Sequence, residues 1–309
     1  MLKSSSSLGR PFVVYFVVAV ALSSSCRWGS DSSDGVVPEF TTAEVEIVEE
    51  LATSHPALHI ELAGRRDAES RDVRGPVETS AATPAGPAAE TSVDAFAETS
   101  ANPPSRADVR LLIGPGFAAD EQAESAIEEL NRLRPIRIVR ITTNSFEESE
   151  ESFLSKLTET EKLVIESDSL VEEPLEQLRG LKKLRELRFV GSPIRDEQLE
   201  ALSQLPQLEL LWLTNTKVRG RGFASFANHP KLHTVILTTS PIDDSGFEQL
   251  AKIKSLKTIV ANGSDVTDRG LRHLFKMTWL ELLNVESTSV TDGGVGDLKN
   301  VLPETTILH

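Results

Sequence analysis

Residues 184–207 read LRELRFVGSPIRDEQLEALSQLPQ, and four further units of the same length follow without a break. They read LELLWLTNTKVRGRGFASFANHPK (208–231), LHTVILTTSPIDDSGFEQLAKIKS (232–255), LKTIVANGSDVTDRGLRHLFKMTW (256–279) and LELLNVESTSVTDGGVGDLKNVLP (280–303). Their first leucines are spaced by 24 residues: Leu184, Leu208, Leu232, Leu256 and Leu280. A fixed period kept over five units predicts a solenoid, in which each unit adds one turn.

Each unit begins with the pattern L-x-x-L-x-L, as in Leu184, Leu187 and Phe189. The last two of these positions alternate, so we expect a short strand that points them into the core. Apolar residues spaced three apart follow, as in Leu199 and Leu202, and predict a short helix. Because no unit can bury its apolar edge alone, neighbouring units must stack, with strands on one face and helices on the other.

The segments VTDRGL (266–271) and VTDGGV (290–295) resemble the V-T-D-x-G-L variant of the leucine-rich-repeat family. This variant is common in bacterial leucine-rich-repeat proteins and in the repeats attached to F-box domains. The resemblance implies an α/β solenoid with parallel strands on its concave face and short helices on its convex face. The family is a binding scaffold with diverse partners, so the resemblance implies protein binding without naming the partner.

Two polar positions recur in the units. Where many family members place Asn or Cys after the strand, this chain has Ser192, Thr216, Ser240, Ser264 and Thr288. Immediately before the helix it has Asp196, Asp244, Asp268 and Asp292. Aspartate is a good N-cap residue, so we expect each of these carboxylates to cap the helix that follows it.

Composition excludes several classes of function. The chain carries 47 acidic and 32 basic residues, a formal charge of −15, which argues against nucleic-acid binding because phosphate contacts need a basic surface. One cysteine excludes an internal disulfide and a cysteine zinc cluster. Aromatic residues make up 5% of the chain, so we expect aliphatic ladders rather than aromatic clusters to fill the core.

Motifs for catalysis or metal binding are also missing from the sequence. No serine stands in a nucleophile-elbow motif. His55 and His59, like His229 and His233, give the spacing His-x-x-x-His, but proline follows the first histidine of each pair and a third ligand is lacking. We therefore predict a non-enzymatic protein without a metal or a cofactor.

Residues 1–26 have the layout of a secretory signal peptide, with a polar start, the apolar run PFVVYFVVAVAL (11–22) and small residues before Cys26. The run is shorter than the roughly 20 residues that a spanning helix needs. Cys26 stands where a bacterial lipobox places its lipid-bearing cysteine, although the leucine lies four residues before it rather than three. Two interpretations remain open, a lipidated cysteine and an ordinary signal peptide cut near 23–25.

The rest of the chain divides by composition. Residues 27–40 predict a polar tether, 41–63 a candidate degenerate repeat, and 64–107, rich in Ala, Pro, Thr, Ser and Glu, a disordered linker. Residues 108–309 predict the leucine-rich-repeat domain. Its units are diverged to about residue 183 and regular over 184–303, and a terminal strand occupies 305–309.

The strand residues between the buried leucines face the concave side, where family members often bind partners. The candidate partner-binding residues are Trp212, Ile236, Val260 and Leu210, expected to form an exposed apolar patch, beside Arg188 and Arg140. Exposed apolar patches often mark interfaces, and Trp and Arg are enriched at binding hot spots. Alternatively, the N-terminal segment or a second copy of the chain covers this patch.

Lys217, Arg219 and Arg221 form a candidate basic patch. These three cations could bind an anionic partner, or they could lie in a loop that is simply solvated.

Together these observations predict a protein-binding scaffold outside the cytoplasm, at a bacterial envelope, anchored to the membrane by lipid on Cys26. One alternative is a structural spacer or self-assembling envelope protein. Another is an intracellular adaptor resembling F-box-type repeat proteins, against which the signal-like start counts.

Overall fold

A computed structural model describes residues 42–55, 57–63, 108–114, 122–133, 135–143, 154, 156–168 and 174–309. The segments predicted as signal peptide (1–26), tether (27–40) and linker (64–107) lie outside the described residues.

One sheet of ten strands runs through the described residues, with its strands in sequence order. The strands are β1 (Leu58–Ala63), β2 (Asp108–Ile113), β3 (Ile136–Thr143), β4 (Lys162–Ser167), β5 (Glu186–Val190), β6 (Leu210–Thr214), β7 (Thr234–Ile236), β8 (Thr258–Val260), β9 (Leu282–Asn284) and β10 (Thr306–Leu308). β2 to β10 are parallel.

Short helices alternate with the strands. The α-helices are Thr42–Ser54, Ala123–Leu133, Leu199–Leu202, Asp244–Leu250, Asp268–His273 and Asp292–Val301. The 3-10 helices are Pro174–Gly180, Asp196–Gln198, Arg221–Phe226 and Leu274–Lys276. The alternation of parallel strands and short helices confirms the predicted α/β solenoid.

The register of the sheet follows the sequence period. Val139 lies opposite Leu163, Leu163 opposite Leu187, and Leu187 opposite Leu211, each 24 residues further along the chain. Equivalent residues of successive units therefore stack in rows. The rows through Leu187 and Phe189 are fully buried. Arg188, between them, lies on the opposite side of the sheet, which we call the concave face.

Phenylalanine fills part of the core. Phe189, Phe223, Phe226 and Phe247 are fully buried, and the rings of Phe223 and Phe226 lie 5.8 Å apart at 52°. Aliphatic residues make up most of the core, as expected, but phenylalanines also take part in it. Phe223 and Phe247 occupy the position that Leu271 holds in a later unit, so the rings replace leucines within the same ladder.

The segment before the solenoid differs from the degenerate repeat expected over 41–63. Helix Thr42–Ser54 leads into β1, and Leu51 and Leu58 join the same hydrophobic core as the repeats. However, β1 pairs antiparallel with β2, Leu58 lying opposite Ile113. A repeat unit would add a parallel strand, so this segment covers the first edge of the parallel sheet instead of extending it.

The recurring aspartates do not cap their own helices, contrary to expectation. Thr267 is the N-cap of helix Asp268–His273, and its hydroxyl accepts from Arg269 N–H. Asp244 belongs to the preceding unit, yet it accepts from the backbone N–H of Thr267 (2.8 Å) and Gly270 (3.0 Å) and from the Thr267 hydroxyl (2.8 Å). As the first residue of its helix, Asp244 points its carboxylate across the boundary to the next unit.

Asp268 repeats this contact one unit later. It accepts from the backbone N–H and from the hydroxyl of Thr291, both at 2.8 Å. These two bonds hold the pKa of Asp268 below the ordinary value for aspartate. The contact therefore stabilises the fold above the ordinary pKa, and its contribution is lost as the pH falls through the lowered one.

The glycine of V-T-D-x-G-L makes room for the neighbouring carboxylate. A Cβ on Gly270 would lie 2.7 Å from Asp244 Oδ1, and one on Gly294 would collide with the carboxylate of Asp268. These two units thus pack their helices directly on the aspartate of the unit before them.

The polar residues after the strands link the units beneath the sheet. Ser240 Oγ accepts from Thr216 N–H (3.1 Å) and donates to the Leu213 carbonyl (2.8 Å). Ser264 takes the same position one unit later, but its buried Oγ has no hydrogen-bond partner within the described part of the chain. The hydrogen bonds between units are therefore present at Ser240, and the described residues provide none at Ser264.

Ser264→Ala should leave the free energy of unfolding unchanged or raise it slightly, because it removes a buried hydroxyl that is already unpaired. Ser240→Ala should lower it by about 1–3 kcal/mol, because Thr216 N–H and the Leu213 carbonyl then stay buried without their partner. Urea denaturation of both variants provides the measurement. Equal losses in the two variants would contradict this account of the row.

Candidate partner-binding surface

Two rows of side chains cross the concave face from β5 to β10. The first row is Glu186, Leu210, Thr234, Thr258, Leu282 and Thr306, and the second is Arg188, Trp212, Ile236, Val260, Asn284 and Leu308. Within each row every residue lies opposite the next, so neighbouring members are adjacent on neighbouring strands.

The structure brings together the four apolar residues of the candidate patch. Leu210 and Trp212 lie on β6, Ile236 lies on β7 and Val260 on β8. The expected exposure is wrong for two of them, since Trp212 is 7% exposed and Ile236 9%. Leu210 and Val260 are half-buried. The four residues are therefore contiguous, but only Leu210 and Val260 remain partly accessible to solvent.

The side chain of Arg188 buries part of Trp212. Its guanidinium carbon lies 4.3 Å from the centre of the indole ring, a cation–π contact. The Nε of Arg188 donates to Glu186, and the indole N–H of Trp212 donates to the Thr214 hydroxyl. The charge of Arg188 and the polar tip of Trp212 are thus already satisfied within the sheet.

Charged side chains occupy the first part of the concave face and pair with one another. Arg140, on β3, forms an ion pair with Glu166, and its side chain is 51% exposed. Lys162, on β4, lies 3.1 Å from Glu186. Arg140 stands three strands away from Trp212, so the structure does not place it beside the apolar residues.

The two rows carry no charge in the second part of the concave face, although Asn284 donates to the exposed carboxylate of Glu286 beside them. From β6 to β10 the two rows contain ten residues, and none of them is ionisable. Charged residues make up 26% of the chain, so their exclusion from ten adjacent positions distinguishes this surface. Leu308, at its end, is 36% exposed.

A charged row borders the concave face and was not recognised in the sequence. Arg137 lies 3.3 Å from Glu161, Arg185 lies 3.0 Å from Glu209, and Lys257 lies 2.7 Å from Glu281. The signal was present, because these residues share one position of the 24-residue period and alternate in sign. Exposed pairs of this kind add little stability. Their effect is to leave the border with few uncompensated charges.

The candidate basic patch lies elsewhere. Lys217, Arg219 and Arg221 are all exposed. They follow β6, in the loop and first turn of the helical segment Arg221–Phe226. The structure therefore separates them from the concave rows.

The histidines of the second His-x-x-x-His pair have separate partners. Leu232 N–H donates to His229 Nδ1 (3.0 Å), so Nε2 carries the proton and donates to the Leu205 carbonyl (2.8 Å). Burial lowers the pKa of His229, against the raising effect of the Leu205 bond, and so favours the neutral ring. The Nδ1 of His233 lies 2.9 Å from the Thr234 hydroxyl instead. The two rings do not converge on a common ligand.

Neither a membrane-spanning helix nor a metal site is found among the described residues. In that part of the chain, no helix combines the length and the apolar character needed to cross a membrane. The same residues contain no group of three His, Cys, Asp or Glu side chains arranged to hold a metal ion.

Several solved structures of repeat proteins are similar to this chain. Internalin InlF of Listeria monocytogenes has 14% identity and a TM-score of 0.43, covering 61% of this chain and 56% of its own. Internalin C2 of the same organism has 16% identity and a TM-score of 0.39, covering 62% and 88%. A leucine-rich-repeat protein of Leptospira interrogans has 13% identity and a TM-score of 0.33, covering 60% and 68%.

The chain thus spans about half the length of InlF. No protein-family model matches the sequence, and no curated protein matches it either. The 24-residue register, the single sheet with nine parallel strands and the helix-bearing opposite side nevertheless define the architecture. The chain folds as a leucine-rich-repeat solenoid.

Proposed function

We propose that this protein is a non-enzymatic scaffold that binds a protein partner on the uncharged part of its concave face, from β6 to β10. One observation carries the proposal, namely ten adjacent, uncharged side chains on five neighbouring strands of a protein in which 26% of the residues are charged. Depletion of charge at the centre and a polar border are the composition of a protein interface.

The accessible side chains define the chemistry of this surface. Thr234 and Thr258 are half-buried and offer hydroxyls, and Val260 and Leu282 are half-buried and offer apolar contact. The paired charges of the border row lie beside them. A complementary partner presents a neutral surface that makes apolar contacts and hydrogen bonds at its centre.

A charge placed in the middle of this surface should abolish binding. Thr258→Arg adds a guanidinium between Thr234 and Leu282, where a docked partner would bury it without a counter-ion. We expect a loss of at least about 100-fold in affinity, corresponding to roughly 3 kcal/mol. The measurement is capture of partners from the source cell by the full chain, followed by titration of the captured partner.

Thr278→Arg is the matched control, because Thr278 is exposed in the turn before β9 and outside the two rows. The proposal requires a partner that binds the wild type and Thr278→Arg but not Thr258→Arg. Equal binding to both variants would place the interface elsewhere.

A second candidate function is that of a structural spacer or assembly protein. The observation in its favour is the stacking of Arg188 on Trp212, which engages the largest side chain of the concave face within the molecule. If Thr258→Arg retains every partner of the wild type, the spacer or assembly function is favoured over partner binding on the concave face.

We also propose that the protein is exported and held at the cell envelope by lipid on Cys26. The layout of residues 1–26 and the position of this cysteine support the proposal. Cys26→Ser should move the protein from the membrane fraction to the soluble fraction, because it removes the one thiol that can carry the lipid. Fractionation of source cells with detection of the full chain provides the measurement. An unchanged distribution would exclude anchoring through this residue.

A further inference from the structure

Three consecutive loops after the strands lie side by side. Lys217 N–H donates to the Ile194 carbonyl at 2.8 Å, which joins the first loop to the second. Asp243 N–H donates to the Arg219 carbonyl at 3.3 Å, which joins the second loop to the third. The three loops, residues 194–197, 217–222 and 241–245, therefore form one continuous surface of the solenoid.

Four cations stand on this surface, which we call the basic loop surface: Arg195, Lys217, Arg219 and Arg221. All four side chains are exposed. None of them forms an ion pair with another described residue. By contrast, Arg137, Arg140, Lys162 and Arg185 each pair with a glutamate of the next unit.

On the same loops, Asp196 and Asp243 turn their carboxylates toward backbone N–H groups, whereas Glu197 is exposed. Asp196 accepts from the N–H groups of Gly220 (2.8 Å) and Gly222 (3.1 Å). Asp243 accepts from the N–H groups of Ser245 (2.9 Å) and Gly246 (3.1 Å). Both oxygens of Asp196 and Oδ1 of Asp243 are occupied, so the four exposed cations outnumber the carboxylate groups left to solvent.

The change of sequence at Gly220 creates this arrangement. Gly220 stands where the other four regular units have an aspartate, and its φ of 98° suits glycine. Without that aspartate, the next unit caps its helix with its own Asp243. Burial favours a raised pKa for Asp243, but the Ser245 and Gly246 hydrogen bonds and the charge of Arg221 outweigh it and lower the pKa. Asp243 thus remains a carboxylate bound to its own helix.

We propose that the basic loop surface binds an extended acidic segment of a partner protein, whose Asp and Glu carboxylates pair with Arg195, Lys217, Arg219 and Arg221. Guanidinium groups match carboxylates in bidentate geometry, and three of the four cations are arginines. A single extended strand touches these loops alone. A membrane or a nucleic acid would also face the rest of a chain with net charge −15 and be repelled.

The test uses a fluorescein-labelled peptide of ten glutamates and measures its fluorescence anisotropy with the full chain at low salt. We expect saturable binding that weakens with added salt. The double variant Arg219→Gln/Arg221→Gln should weaken it at least about tenfold, and Arg219→Glu/Arg221→Glu should abolish it. Circular dichroism melting of each variant verifies that these exposed substitutions leave the fold intact.

Lys254→Glu/Lys276→Glu is the matched control for net charge, because both lysines are exposed and lie on later parts of the solenoid. It changes the total charge as much as the arginine reversal does, so binding should fall by no more than about threefold, through long-range repulsion. Failure of the wild type to bind the peptide, or an equal loss in the lysine control, would overturn the proposal. Binding of anionic lipid vesicles in preference to the peptide would also overturn it.

Discussion

Replacing Phe226 with alanine should lower the free energy of unfolding by about 3–5 kcal/mol. The side chain is fully buried, and its ring lies 5.8 Å from that of Phe223 and 5.7 Å from that of His229. Removing the ring leaves a cavity in a row that stacks on the neighbouring units, so the surrounding backbone has little freedom to close it. Urea denaturation of the full chain, followed by far-ultraviolet circular dichroism, gives the measurement.

Phe275→Ala is the control for this variant, because Phe275 is half-buried against the same core. We expect a loss of about 1–2 kcal/mol. A difference between the two variants of less than about 1 kcal/mol would show that the phenylalanine row is not tightly packed.

Asp244→Ala should cost about 2–3 kcal/mol, because one carboxylate supplies three hydrogen bonds to the next unit. The N–H groups of Thr267 and Gly270 lose their partner, and helix Asp268–His273 loses the anion at its start. Asp244→Asn should fall between Asp244→Ala and the wild type, since an amide oxygen keeps one acceptor. Urea denaturation with hydrogen exchange of residues 267–273 locates the loss.

Asp265→Ala provides the comparison, as Asp265 is exposed in the loop that precedes Thr267. Its effect should stay within about 0.5 kcal/mol. If the two alanine variants are equally stable, the aspartate row does not hold the units together.

The sequence predicted the repeat architecture because burial imposes a period that the apolar residues must obey. Leu187 lies opposite Leu211, and Leu211 lies opposite Val235, as the spacing requires. The order of neighbours within the sheet follows directly, since each unit stacks on the one before it.

Exposure on the concave face was harder to predict from sequence. The alternation of apolar and polar residues indicates which side of the sheet a residue occupies. It does not indicate which side chains of the adjacent strands cover that residue. Trp212 occupies the expected side, yet Arg188 on the adjacent strand lies over its ring. For the same reason, the sequence did not reveal that the Asp244 carboxylate accepts hydrogen bonds from the next unit, while Asp243 caps the helix of Asp244.

The direction of the aspartate contacts gives the solenoid a polarity with consequences for its biogenesis. Each aspartate precedes the amides that it binds in the chain, as Asp244 precedes Thr267 and Asp268 precedes Thr291. During synthesis, each aspartate is therefore made before the N–H groups that donate to it. When the chain folds from its N-terminus, each new unit can pack on a unit whose carboxylate acceptor is already in place. The order is interrupted at Gly220, because helix Asp244–Leu250 receives no aspartate from the unit before it and is capped by its own Asp243 alone. Nascent chains should accordingly acquire protease resistance in two stages, one on either side of that helix.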